Sequence, residues 1–402
     1  MRVFIAGVDG YLGFTLAQHL AARGHDVAGA DAFLRRRWVG EMGSWSAVPI
    51  APMAERRDAF RDRYGRDLTF FSLDLTNYAG VAWALAEFRP DAVVHLGECP
   101  SAPYSMLDVH HATFVQTNNI TSTFNLLYAI RDVVPDAHLL KLGTMGEYGT
   151  PNVPIPEGFF EVEYRGRRDR MPFPRQAGSF YHWSKVAGSN NIMLACKLYG
   201  LAATDVMQGV VYGTRIEAMG EDRRLATRLD FDECFGTAIN RFCCQAIVGH
   251  PITPYGSGHQ KRGFLSLSDS MQCLTLALEH PPVAGEYRVF NQFAEVHDIS
   301  GLAENVRRAA ANLGFDAPVV PVDNPRTEAE EHYYEPDHRA LADLGYRPTR
   351  TMGEELSVML GDLAPHAARI AEKRHAFRLD VRWDDAASRA ARRRTALTAV
   401  GA

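Results

Sequence analysis

Tyr181-His182-Trp183-Ser184-Lys185 sets a phenol and an ammonium four residues apart, a spacing that puts both on one face of a helix. A free phenol, with a pKa of about 10, is a poor base at neutral pH. An ammonium held beside it favours the phenolate and lowers that pKa. Tyr181 could then take the proton of an alcohol while hydride leaves the same carbon for a suitable acceptor. Thr144 ends an apolar run and opens the segment Thr144-Met145-Gly146-Glu147-Tyr148-Gly149. Its hydroxyl suits it to hold the same alcohol. Glu147 is a candidate base for a carbon acid, and His182, beside the tyrosine, is a candidate proton carrier.

A hydride acceptor is indicated at the other end of the chain. Gly7-Val8-Asp9-Gly10-Tyr11-Leu12-Gly13 follows an apolar strand and opens a helical pattern. In that setting Gly7 makes a tight turn, Gly10 lets backbone approach a pyrophosphate, and Gly13 lets helix pack on strand. The helix N-terminus offers N–H groups and positive dipole to the phosphates. Asp31 ends the second strand, where a carboxylate accepts both ribose hydroxyls and repels a 2′-phosphate, which favours NAD over NADP. Arg35, Arg36 and Arg37 follow closely, and an arginine there can accommodate a 2′-phosphate. Asp74 and Leu75 lie where the adenine edge is expected.

These groups require a frame that brings residues 7–13, 144 and 181–185 together. Short apolar runs at 2–6, 26–30, 68–73, 92–96 and 139–142 alternate with helical patterns at 11–22, 78–88 and 114–133. A helix over 179–199 and a run over 202–211 continue the series. Strands spaced by helices predict an α/β fold: a doubly wound parallel sheet of the Rossmann type. Residues 34–67 are too long for a plain connection and are expected to be locally folded. Beyond Gly213 come a charged stretch at 215–232, a predicted helix at 234–248, and short segments broken by Pro251, Pro254, Gly256 and Gly258. A helix near 299–313 follows. The reading is a Rossmann domain over 1–213, a smaller C-terminal substrate-binding lobe over 214–365, and a basic tail over 366–402, solvated or frayed. Later strands such as 287–290 are candidates to complete the main sheet.

Composition narrows the function further. The 402 residues carry 43 basic and 48 acidic side chains, a formal charge of −5, so no electrostatic case exists for nucleic acid. No apolar run reaches the ~18 residues of a membrane span, and the first residues lack the pattern of a signal peptide. The six cysteines show no metal-ligand spacing and are expected to be reduced, buried thiols. A cytosolic enzyme without a metal is the expectation.

The GxxGxxG spacing is similar to that of extended short-chain dehydrogenases, and longer stretches sharpen the likeness. Residues 101–106 (SAPYSM), 141–152 (KLGTMGEYGTPN), 208–213 (QGVVYG), 235–241 (FGTAINR), 289–293 (VFNQF) and 328–334 (EAEEHYY) carry it. On them the chain resembles the UDP-sulfoquinovose synthase family within the NAD-dependent epimerases and dehydratases, from residue 1 to about 360. The resemblance implies transient oxidation of UDP-glucose at C4 by NAD, with Tyr181 as base. Loss of the C5 proton and of water from C6, sulfite addition at C6, and return of hydride to C4 would follow. It implies that Leu96, Gly97, Asn119, Leu142 and Val211 join Asp9, Tyr11 and Leu12 at the cofactor. Ser101, Tyr104, Gln208, Asn240, Arg241 and Thr253 would meet the nucleotide sugar, as would Tyr255, Gln260 and Glu328. Arg262 and Arg326 would take the diphosphate, which guanidinium suits. A homodimer through helices 114–133 and 179–199 is implied by analogy. Two departures stand out. Met145 replaces the acid of the related 4,6-dehydratases, and Cys99-Pro100 replaces a Gln-Arg pair, removing a cation. The alternative is a nucleotide-sugar 4-epimerase or dehydratase with the same core and no sulfur step.

Overall fold

The structure is a computed structural model that describes residues 1–326, 333–379, 381 and 383. β1 (Arg2–Ala6), α1 (Tyr11–Ala22), β2 (Asp26–Asp31), α2 (Leu34–Glu41), α3 (Met53–Tyr64), β3 (Leu68–Ser72), α4 (Tyr78–Phe88) and β4 (Ala92–His95) come first. Next are α5 (Val109–Val133), β5 (His138–Thr144), β6 (Phe159–Tyr164), β7 (Arg167–Pro172), α6 (Phe180–Tyr199), β8 (Ala203–Gln208) and β9 (Val210–Tyr212). The remainder holds α7 (Ala238–Ile247), β10 (Lys261–Ser266), α8 (Leu267–Glu279), β11 (Tyr287–Gln292), β12 (Glu295–Asp298) and α9 (Ile299–Asn312). Last are α10 (Arg339–Asp343), α11 (Met352–Leu363) and α12 (Ala367–Ala371).

Seven strands form one sheet in the order β11-β8-β5-β4-β1-β2-β3, with every neighbour parallel. Side chains alternate across it, as strand geometry demands. Val3 and Ile5 enter one layer with Phe14 of α1, Phe60 of α3 and Leu274 of α8. Phe4 and Ala6 enter the other with Leu85 of α4, Leu126 of α5 and Ile192 of α6. The sheet is doubly wound, and the strand order reverses between β1 and β4. That reversal opens a crevice beyond their C-terminal ends, where ligands of such sheets bind.

At Gly209 the chain leaves this sheet. A Cβ there would come within 2.6 Å of the Gly263 carbonyl oxygen, so the run expected at 202–211 divides into β8 and β9. β9 pairs with β10 and β10 with β12 in a second, three-stranded sheet. A separate core covers it, built from Phe242 of α7, Val306 of α9 and Leu356 of α11. The expected helix at 234–248 starts only at Ala238, because Asp232 holds the Cys234 and Phe235 amides in a turn and Thr237 caps the helix. Residues 34–67 hold α2 and α3.

The tail requires correction. From His366 on it was expected to be solvated or frayed, yet Ile370 and Phe377 are buried in the second core. Trp45 receives Arg369 and Lys373 on its ring face. Trp383 reaches the central cleft. Residues 384–402 lie outside the described part.

Candidate active site

A cleft of about 700 Å³ runs from the glycine turn, across the ends of β4, β5 and β8, to the second sheet. Gly7 turns the chain out of β1 at φ +92°, and a Cβ there would lie 2.8 Å from Gly97 backbone after β4. A Cβ on Gly13 would lie 2.1 Å from the Gly7 carbonyl oxygen. Both positions therefore require glycine, and α1 meets the turn closely with its N-terminal amides toward the cleft. Gly10, Tyr11, Leu12, Asp31, Asp74, Leu75, Leu96, Gly97, Leu142, Gln208 and Val211 all line the cleft.

Asp31 accepts the Asp9 amide at 2.9 Å and the Phe33 amide at 2.7 Å. Burial, and then the charge of Asp9, push its carboxyl up to about 6. Asp9 itself does not face the cleft. Its carboxylate is 2% exposed and takes Arg36 at 2.7 Å and Arg56 at 2.6 Å. Arg35 is drawn to Asp230 at 2.8 Å. Two of the three arginines that could have read a 2′-phosphate are thus engaged by carboxylates. Asn119 is buried behind the wall, where it clamps Cys99 through both backbone groups and bonds Ser184; its neighbour Asn118 lines the cleft.

Thr144, Tyr181, His182 and Lys185 converge on the cleft from two elements. Ser179 caps α6 by accepting the His182 amide at 3.2 Å and also meets the His182 Nδ1 at 2.9 Å. Ser105 Oγ accepts the Tyr181 amide at 3.0 Å. A Cβ on Gly146 would fall 2.4 Å from His182 Nε2, so only glycine lets the histidine pack beside the Thr144 turn. Lys185 donates to the Leu142 carbonyl at 2.6 Å and to Glu98.

Two electrostatic expectations change. Lys185 was expected to pull the Tyr181 pKa down, but in the protein alone burial, then Glu98 and Glu147, push that phenol above its usual value. The lysine's charge is offset by Glu98. Glu147 is not on the cleft wall. It has no exposed surface and accepts Lys141 at 3.2 Å, Arg175 at 3.0 Å and Ser189 at 2.9 Å. It also takes the Thr144 amide at 3.4 Å. It braces the turn from beneath and has no path to a substrate carbon. Cys99 is likewise buried, its thiol pushed up to about 12 by burial.

On the far wall lie Ser101, Asn240, Arg241, Tyr255, Gln260, Arg262 and Arg326. Asn240 Oδ1, Arg241 Nε and both amide atoms of Gln260 are buried with no protein partner, which marks a surface shaped for a polar ligand. Tyr104 is absent from this wall, its hydroxyl donating to Glu41 at 2.8 Å. Thr253 is also absent, since its hydroxyl accepts the Gln245 amide at 2.8 Å. Glu328 lies outside the described residues. Among the lining residues that escaped the sequence are Glu98, Arg228 and Trp383. Arg228 sits in the charged stretch 215–232, and its pairing with Asp230 at 2.9 Å was legible there only as an i, i+2 spacing.

The residues fit a dinucleotide. The glycine cradle excludes a Cβ at 7 and 13, the Asp31 carboxylate lies on the cleft wall at the end of β2, and Arg228 Nη1 is buried, unpartnered and on the same wall. The family model described as NAD dependent epimerase/dehydratase matches residues 3–291, and the chain belongs to that family. NAD is its cofactor. Among curated proteins it is similar to the UDP-sulfoquinovose synthase of Sulfolobus acidocaldarius, 46% identical over 95% of this chain and 98% of that one. The chloroplastic UDP-sulfoquinovose synthase of Spinacia oleracea is also 46% identical, over 86% of this chain and 72% of that one. Among solved structures, UDP-glucuronic acid 4-epimerase of Bacillus cereus, in complex with UDP-glucuronic acid and NAD, matches with a TM-score of 0.68. It is 20% identical and covered over 91% and 99% of the two chains.

Proposed function

We propose that the chain makes UDP-sulfoquinovose from UDP-glucose and sulfite. The observation that carries this is one cleft joining the dinucleotide cradle to Thr144, Tyr181 and Lys185 and then to buried, unsatisfied Asn240, Arg241 and Gln260. The near-full-length identity to two UDP-sulfoquinovose synthases supports the choice of reaction.

NAD, when bound, supplies a reversible hydride acceptor for C4. Tyr181 removes the C4 hydroxyl proton while Thr144 Oγ1 hydrogen-bonds the same oxygen, and Tyr181 returns the proton to that oxygen after sulfite has added. Lys185 stays anchored on Leu142 and Glu98. The C5 proton and the C6 hydroxyl need a carrier on the cleft wall, and we assign His182, since Met145 cannot ionise and Glu147 is enclosed. Arg262 and Arg326 hold the diphosphate. The protein pairs as a homodimer through the outer faces of α5 and α6, where Phe124, Leu194 and Leu198 are exposed. No helix among the described residues is long and apolar enough to cross a membrane.

The test is incubation of the NAD-loaded protein with UDP-glucose and sulfite, followed by mass spectrometry. The reading requires a product in which sulfonate replaces the C6 hydroxyl. A product of unchanged mass, isomerised at C4, would overturn it in favour of an epimerase.

A further inference from the structure

Lys185 is not an unopposed cation. Its ammonium is 4% exposed and the Glu98 carboxylate bonded to it 1%, and a buried pair at bonding distance is close to neutral seen from a third group. Glu98 is fixed from both sides. Its amide donates to the Leu96 carbonyl at 3.0 Å, and Asn119 grips the next residue through its amide and carbonyl. Oε2 serves Lys185, while Oε1 is buried without a partner in a residue that lines the cleft. Nothing in the packing of the loop demands a carboxylate here, so its place is explained by Lys185 and by what lies beyond it.

The charged and titratable groups around the tyrosine are few. Glu147, Lys141, Asp205 and Arg175 lie beneath it from β5, the turn after it, β8 and the segment before α6, and they pair among themselves. His95 on β4 is neutral, burial pushing it down to about 4. Cys99 is a neutral thiol. The His182 ring lies 4.9 Å from the Tyr181 ring. Of the charged groups acting on the phenol, Glu98 comes first, ahead of Glu147 and Lys141.

We propose that Glu98 is a positioning residue of the oxidation step, holding Lys185 against Leu142 and offsetting part of its charge, so that it sets the pH at which Tyr181 releases its proton to solvent and becomes the base. This rests on Tyr181 being the base in the reaction above.

The test is the pH dependence of cofactor reduction, followed by absorbance after mixing NAD-loaded protein with UDP-glucose alone. Glu98→Gln should move the midpoint of the rising limb down by about one pH unit or more, with bound NAD unchanged. Glu98→Asp, which keeps the charge, should retain the wild-type midpoint while turning over more slowly. An unmoved midpoint in Glu98→Gln, or an equal fall in Glu98→Asp, overturns the proposal. Phenolate absorbance titration of wild type and Glu98→Gln, each against a Tyr181→Phe background, needs no sugar. Phenolate must form at lower pH in the glutamine variant, and coincident curves overturn the proposal even if UDP-glucose is the wrong substrate.

Discussion

Replacing Glu147 with glutamine separates bracing from catalysis. In the wild type its carboxylate neutralises Lys141 and Arg175 with no exposed surface on its own side or on Lys141. Without that charge, Lys141 keeps Asp205 at 3.5 Å, and Arg175 keeps the face of Tyr148 at 4.5 Å and the Met207 sulfur at 3.4 Å but no carboxylate partner. Breaking a buried ion pair costs about 3–5 kcal/mol. The surviving Asp205 contact and the amide oxygen of glutamine place this case near about 3 kcal/mol, roughly a hundredfold in the folding equilibrium. Urea unfolding measures that loss. Deuterium uptake at sugar C5 from heavy water, in the same variant, measures whether proton removal survives. The structure requires lower stability with C5 exchange retained. Unchanged stability with C5 exchange abolished would refute the reasoning and restore Glu147 as the base.

Other outcomes follow from the same geometry. Arg228→Gln removes the buried, unpartnered guanidinium nitrogen beside the glycine turn; a charge-assisted contact is worth about 1.5–3 kcal/mol, so NAD should dissociate about ten- to a hundredfold more readily. Full NAD retention after exhaustive dialysis would contradict that. If the proposed dimer forms through α5 and α6, Leu198→Glu on the exposed face of α6 should leave a monomer in light scattering, with NAD still bound, where the wild type is a dimer. Burial pushes His138 down to about 4 from an ordinary 6.5, so the unfolded chain binds a proton there that the folded one refuses. Its stabilising effect is complete above pH 6.5 and fades as pH falls toward 4. His138→Gln should flatten the acid decline of stability across that window, read by denaturant titration at several pH values.

Much of the site was legible because its residues obey rules of spacing. A turn that must pass close to backbone calls for glycine at 7 and 13, and a shared helix face fixes Tyr181 and Lys185. The alternating first half likewise gave the parallel sheet. Contacts between distant segments were not legible. Glu98 and Lys185 are 87 positions apart, and no local pattern announces their pairing. Glu147 stands next to the Thr144 turn in sequence, but the 3₁₀ turn at Met145–Glu147 rotates it inward onto Lys141. Helix α5 begins at Val109, ahead of the expected 114, because Asp108 caps it through the His110 and His111 amides. The β6–β7 hairpin was missed since β7 is exposed throughout and shows no apolar alternation. In the tail, a few apolar residues among many basic ones, Ile370, Ala376, Phe377 and Val381, are buried and anchor the chain, a signal that bulk charge conceals.

The central claim is that hydride leaves C4 of a glucosyl unit and returns to it within one cleft, bracketing a change at C6. UDP-glucose deuterated at C4, turned over with sulfite by the NAD-loaded protein, tests it most directly. The account predicts a sulfonated sugar nucleotide that keeps its C4 deuterium. A sulfonated product with hydrogen at C4, or none from a protein that holds NAD, would contradict it.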